Sequence, residues 1–144
     1  MSLFLSTFEN RIDIKGRVSL PASFRMLLER NNDFSGVVLC RSLHYQCIFG
    51  TGMVQMEHFT MFENKKRCRD ELKTYILAKS RPLNIDVTGR IIIPNDLLEY
   101  AQIENRALFV GCGEYFQIWN PELFKVFFDK SVDSLRKSEP NMII

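Results

Sequence analysis

An aspartate, a glycine and an arginine recur in one order and spacing at two places in this chain. The first is "NRIDIKGRVSLP" (10–21) and the second "NIDVTGRIIIP" (84–94), with the two aspartates 73 residues apart. In the first, Asp13, Lys15, Gly16 and Arg17 follow Arg11 and precede Arg25. In the second, Asp86, Gly89 and Arg90 stand in a less basic setting. An arginine can bind guanine O6 and N7 bidentately in the DNA major groove, and a two-stranded ribbon fits that groove. Lysines and further arginines supply the more numerous phosphate contacts, which position a protein without reading bases. Lys15, Arg17, Arg11, Arg25 and Arg90 are therefore candidate DNA contacts. Asp13 and Asp86 read differently, because phosphate repels a carboxylate. An aspartate there caps a turn by accepting backbone N–H groups. Gly16 and Gly89 sit where a tight turn needs positive φ, which glycine alone takes cheaply. The plainer reading is a solvated face, with an exposed Arg17–Asp13 pair that contributes little and Arg90 in a core or inter-repeat pairing role.

Other chemistry finds less support. The only histidines are His44 and His58, and there is no G-x-S-x-G and no phosphate-binding glycine loop. No pair of carboxylates stands out as an acid–base constellation, so an enzyme, a cofactor or a small-molecule substrate is not expected. The four cysteines, Cys40, Cys47, Cys68 and Cys112, form no CxxC pair and read as reduced thiols. Cys40, His44 and Cys47 lack the fourth ligand of a structural zinc site. The run Lys65–Arg69 is mixed with Asp70 and Glu71 on a predicted helix and reads as a solvated face.

Which elements could position the recurring residues? The match between the two stretches extends beyond the turn. Ile12, Val18, Leu20, Pro21 and Phe24 correspond to Ile85, Ile91, Ile93, Pro94 and Leu97. Later, "VVLCRSLHYQCIFG" (37–50) parallels "ALFVGCGEYFQIWN" (107–120). An internal repeat of this kind takes precedence over any other fold assignment. Each copy predicts strand, tight turn, short strand, a helix opened by proline, then two strands joined by a turn. The helices are "PASFRMLLER" (21–30), stopped by Asn31, Asn32 and Asp33, and "PNDLLEYA" (94–101). Between the copies, 52–79 predicts one broken helix or two in succession. Met53, Val54, Met56, Phe59 and Phe62 would form one apolar face; Leu72, Tyr75, Ile76 and Leu77 would form another. A further helix starts at Pro121 with Phe124, Phe127 and Phe128 at helical spacing, and "KSEPNMII" (137–144) is expected to fray. A unit of about 45 residues buries too little surface to fold alone, so the copies must pair.

The bulk properties set looser bounds. A chain of 144 residues, 46% apolar with twelve phenylalanines, suits one compact unit or two small ones sharing a core. The formal charge is +2. Residues 1–80 carry twelve basic against eight acidic side chains and residues 81–144 seven against nine. That asymmetry permits an anionic partner on the first half. The apolar start "MSLFL" is too short for a signal peptide, and no stretch reaches the roughly 20 apolar residues of a membrane span. A soluble, cytoplasmic protein with no membrane partner is expected.

The paired motifs, the ending "VGCGEYFQIWN", the helical middle and the length together resemble the MraZ family of bacterial transcriptional regulators, over roughly residues 8–128. The resemblance implies an α+β, β-rich fold. Two tandem AbrB-like (SpoVT-AbrB) swapped-hairpin repeats would form one pseudo-symmetric barrel with flanking helices. The divisions are repeat one at 7–54, a helical connector at 55–80, repeat two at 83–126, and a helix end and tail at 127–144. It further implies a homo-oligomeric ring, nucleoid-associated in the cytoplasm. The ring would bind double-stranded DNA at short direct repeats ahead of the division and cell-wall gene cluster. The family's DNA contact maps onto Asp13–Arg17 and Asp86–Arg90. The second copy departs from the first, with Val87 and Thr88 in its turn and Leu98 in place of Arg25. Few cations per protomer make each contact weak, each adding roughly 0.9 to the slope of log K against log salt. Useful affinity then needs several protomers on one DNA, and a head-to-tail ring selects direct repeats over a palindrome. The alternative from another class is a scaffold ring that binds proteins through its apolar helices and touches nucleic acid incidentally.

Overall fold

The structure is a computed structural model that describes residues 3–30, 36–60 and 70–144. Phe62, Cys68, the run Lys65–Arg69 and the Asn31–Asp33 helix stop lie outside the described residues. The elements in chain order are β1 (Thr7–Arg11), β2 (Arg17–Ser19), α1 (Ala22–Arg30), β3 (Gly36–Arg41), β4 (Ile48–Thr51), α2 (Met53–Thr60) and α3 (Asp70–Ala78). They continue as β5 (Arg81–Asn84), β6 (Arg90–Ile92), α4 (Asn95–Ala101), β7 (Arg106–Gly111), β8 (Phe116–Trp119) and α5 (Pro121–Ser138). Among the described residues the fold is α+β, with five helices and every strand pair antiparallel.

Six strands form one sheet in the order β1-β7-β8-β4-β3-β5, and β2 and β6 form a separate two-stranded ribbon. Neither sheet closes on itself, so the single barrel expected from the resemblance is not seen as a closed sheet. The strands flanking each turn are not partners in a common ladder. β1 and β2 meet only at an isolated bridge, Ile12 to Val18. β1 pairs with β7 instead, and β5 with β3. Each motif thus lends its first strand to the hairpin of the other.

One core serves both halves. Phe24 of α1 is fully buried. It sits edge-on to Phe4 at 5.1 Å between ring centroids, and lies 5.2 Å from Phe116 of β8. Phe109 of β7 completes the cluster at 6.3 Å. These separations fall in the range where aromatic pairs add to simple burial. Ile12, Val18, Leu20, Ile91, Ile93 and Leu97 join the same buried cluster.

The helix starts follow local chemistry. Asn120 caps α5 by accepting from the Glu122 and Leu123 N–H groups at 2.8 and 3.2 Å, with Pro121 in the first turn. Pro94 stands one place earlier, at the N-cap of α4, and that helix ends on Gln102 in the left-handed conformation. α5 runs on to Ser138, so Lys137 and Ser138 belong to the helix and the tail begins at Glu139. A cleft of about 450 Å³ lies between α2, α3 and the β3–β4 connection, lined by Phe49, Met56, Phe59, Leu72, Tyr75 and Tyr115 among others. Among the described residues no helix is long and apolar enough to cross a membrane.

Candidate nucleic-acid interface

The two recurring motifs fold into the same turn. In the first, Asp13 Oδ1 accepts from the N–H groups of Lys15 at 3.0 Å and Arg17 at 2.9 Å. Gly16 N–H closes the turn onto the Asp13 carbonyl at 3.0 Å, and Gly16 takes φ 85°. In the second, Asp86 Oδ1 accepts from Thr88 N–H and Arg90 N–H, each at 2.9 Å, and from the Thr88 hydroxyl at 2.8 Å. Gly89 N–H bonds the Asp86 carbonyl at 3.0 Å with φ 84°. A side chain at position 16 would be strained by its φ and would also strike the Ile93 carbonyl oxygen, 2.7 Å from an ideal Cβ.

The carboxylates are spoken for. Asp13 Oδ2 accepts from Arg17 Nε at 2.7 Å, and Asp86 Oδ2 from Arg90 Nε at 3.2 Å. Asp86 is held down to about 2, first by the Arg90 backbone N–H and then by the Thr88 hydroxyl. Asp13 is also lowered, mainly by the Arg17 backbone N–H and then by its side chain. Hydrogen bonds to the ionised form favour that form. Both aspartates therefore stay charged at any physiological pH. Each grips its arginine through Nε alone. The terminal Nη nitrogens make no hydrogen bond or ion pair to another described residue, and they are the fork that recognises phosphate or guanine.

The ribbon sets the two turns relative to each other. Arg17 lies opposite Ile92, and Ser19 opposite Arg90. Ile93 N–H bonds the Gly16 carbonyl at 2.9 Å, and Leu20 N–H bonds the Gly89 carbonyl at 3.0 Å. A turn therefore sits at each end of the ribbon. Strand alternation buries Val18 and Ile91 in the core and leaves Arg17, Ser19, Arg90 and Ile92 on the outer face. The Arg17 and Arg90 side chains are 41% and 42% exposed, so one is as available as the other.

The remaining basic residues are distributed differently from their sequence neighbourhood. Lys15 is exposed at the tip of the first turn. Arg25 is not beside it: an ideal Cβ on Gly89 would lie 2.0 Å from Arg25 Nη1, so the guanidinium covers the second turn. The corresponding residue in the other copy is Leu98, which packs against the core. Arg11 is exposed at the end of β1, opposite Arg106 of β7. Arg106 in turn pairs with Glu9 through Nε at 3.5 Å. Arg106 is a cation that sequence reasoning missed, and no local signal could have found it, since only the β1–β7 pairing brings it to Arg11. The five candidate cations and Arg106 thus fall into three places: Lys15 and Arg17 at one turn, Arg25 and Arg90 at the other, Arg11 and Arg106 on β1 and β7.

Residues 76–143 match the MraZ family profile, described as "MraZ protein, putative antitoxin-like". The Transcriptional regulator MraZ of Pelagibacter ubique is 43% identical over 132 residues, covering 87% of this chain and 83% of that protein. Its namesake in Rhodospirillum rubrum is 39% identical over 127 residues, covering 84% and 81%. That of Rickettsia canadensis is 33% identical over 135 residues, covering 91% and 90%. The chain belongs to the MraZ family.

Proposed function

We propose that this chain is a sequence-specific DNA-binding transcriptional regulator. It acts as a homo-oligomeric ring, in the cytoplasm and associated with the nucleoid, on short direct repeats ahead of the bacterial division and cell-wall gene cluster. The name carried by its relatives, transcriptional regulator, supports the first part of this reading. The observation that carries it is the ribbon: Arg17 and Arg90 stand on its outer face with their Nη groups bonded to no other described residue, beside the exposed Lys15. A cationic two-stranded ribbon has the dimensions of a major-groove reader. Lys15, Arg17 and Arg90 are the proposed base-edge and phosphate contacts, with Arg25 and Arg11 on phosphate. Asp13, Gly16, Asp86 and Gly89 keep the turns in shape.

The organisation proposed with it is two AbrB-like swapped-hairpin repeats, 7–54 and 83–126, with a helical connector at 55–80 and a helix end and tail at 127–144. The exchange of β1 and β5 between the two hairpins supports this division. So do the twin turns.

The test is a gel-shift series with the DNA upstream of the protein's own coding sequence. Arg17→Ala abolishes the shift and leaves the circular dichroism spectrum and the particle mass unchanged. Arg90→Ala, at an equally exposed position, weakens it as well. Unchanged binding by both variants would remove the ribbon from the interface.

A further inference from the structure

The position after each turn aspartate carries a β-branched aliphatic residue: Ile14 in the first turn and Val87 in the second. Their relative exposures are 101% and 102%, as much as a side chain in a folded chain can have. A lone exposed aliphatic residue carries no information. Two at the same step of twin turns do, because turn positions favour Gly, Pro, Asn, Asp and Ser and neither side chain contributes packing to the fold. The polar groups around them are engaged in the turn itself, as the bonds to Asp13 and Asp86 show. Two cations outnumber one carboxylate at each tip: Lys15 and Arg17 against Asp13 at the first, Arg90 and Arg25 against Asp86 at the second. Ile92 adds a further exposed aliphatic on the ribbon face between them.

An aliphatic tip flanked by cations suits a polyanion that carries apolar groups at fixed depth. The C5 methyl of thymine is the apolar feature of the major-groove edge, and it distinguishes thymine from the other bases. We infer that Ile14 and Val87 are specificity-determining residues that contact thymine methyl groups in the major groove, a proposal that rests on the DNA-binding reading above.

The experiment uses the full chain and one probe, the duplex upstream of its own coding sequence, amplified once with dTTP and once with dUTP. Uracil pairs as thymine does and lacks only the methyl. Wild type binds the thymine duplex more tightly, by about fourfold per methyl contacted, the equivalent of about 0.8 kcal/mol for a buried carbon. The double variant Ile14→Ser, Val87→Ser binds the two duplexes equally and keeps the particle mass of wild type in light scattering. Equal wild-type affinity for both duplexes overturns the inference. Discrimination that persists in the double variant also overturns it, as does a fall in that variant's particle mass, which would put these side chains between subunits. Wild type that binds neither duplex is a distinct result, removing the DNA reading and this inference together.

Discussion

At residue scale, each turn is a five-residue device in which one carboxylate organises everything else. Oδ1 holds the backbone and Oδ2 holds the arginine. The arginine is thereby oriented before any ligand arrives, which reduces the ordering cost of binding. Gly16→Ala forces a left-handed backbone on alanine and drives a methyl against the Ile93 carbonyl. It should cost about 2 kcal/mol or more, read as a lowered midpoint in urea unfolding; a midpoint within error of wild type would show that the turn relaxes freely. The acid limit follows from the aspartates. Asp86 has a folded value of about 2 against an ordinary 3.8. Its contribution to stability is present above pH 4 and is lost as the pH falls toward 2. The Thr88 and Arg90 amide protons, followed by NMR, should move with a midpoint near 2. A midpoint near 3.8 would mean that the carboxylate is not gripped as described. Cys40 and Cys47 lie at the other extreme, with burial pushing their thiols up to about 11 and about 12, which keeps them protonated at neutral pH.

At the scale of elements, α1 links two jobs. Its inner side delivers Phe24 to Phe109 and Phe116, and Arg25, one residue on, lays its guanidinium over Gly89. Core packing and the shape of the second turn are thus set by the same helix. Phe24→Ala should cost about 3–5 kcal/mol, the usual range for truncating a buried aromatic. Equilibrium denaturation measures it, and a loss below 1 kcal/mol would mean that the aromatic cluster closes over the gap. The ribbon shows how far sequence could lead. The alternation of Val18 with Arg17 and Ser19 marks which side of β2 is buried, whereas the unbroken run Ile91–Ile93 leaves the side of β6 unmarked. Neither pattern says which strand lies alongside. An apolar pattern of period two fixes a face and leaves the partner open, so the β2–β6 pairing was not legible.

For the whole molecule, the interleaved strands mean that neither half has a complete sheet without the other. The candidate basic residues fall in three places, two at each. With roughly 0.9 in log K per log salt for each phosphate neutralised, a single protomer binds weakly at physiological salt. Several protomers on one DNA multiply the effect through effective concentration. Scrambling one of the proposed direct repeats in the upstream DNA should therefore lower affinity by about 100-fold or more, measured by fluorescence anisotropy at fixed salt. A loss of less than threefold would break the avidity argument. Affinity that vanishes well below physiological ionic strength would favour a protein-binding scaffold instead.

The amino-acid sequence by itself determined the repeat, the helices and hairpin strands near their observed bounds, and the family. It singled out Asp13, Gly16, Arg17 and their counterparts because the turn's hydrogen bonds span at most four residues, so composition and spacing suffice to specify them. Only the tertiary structure decided that β1 belongs with β7, that Arg25 serves the second turn, and that Arg106 joins Arg11. Those contacts join residues more than sixty positions apart. Their energies come from closing one shared core, and no local pattern records which distant segment completes it.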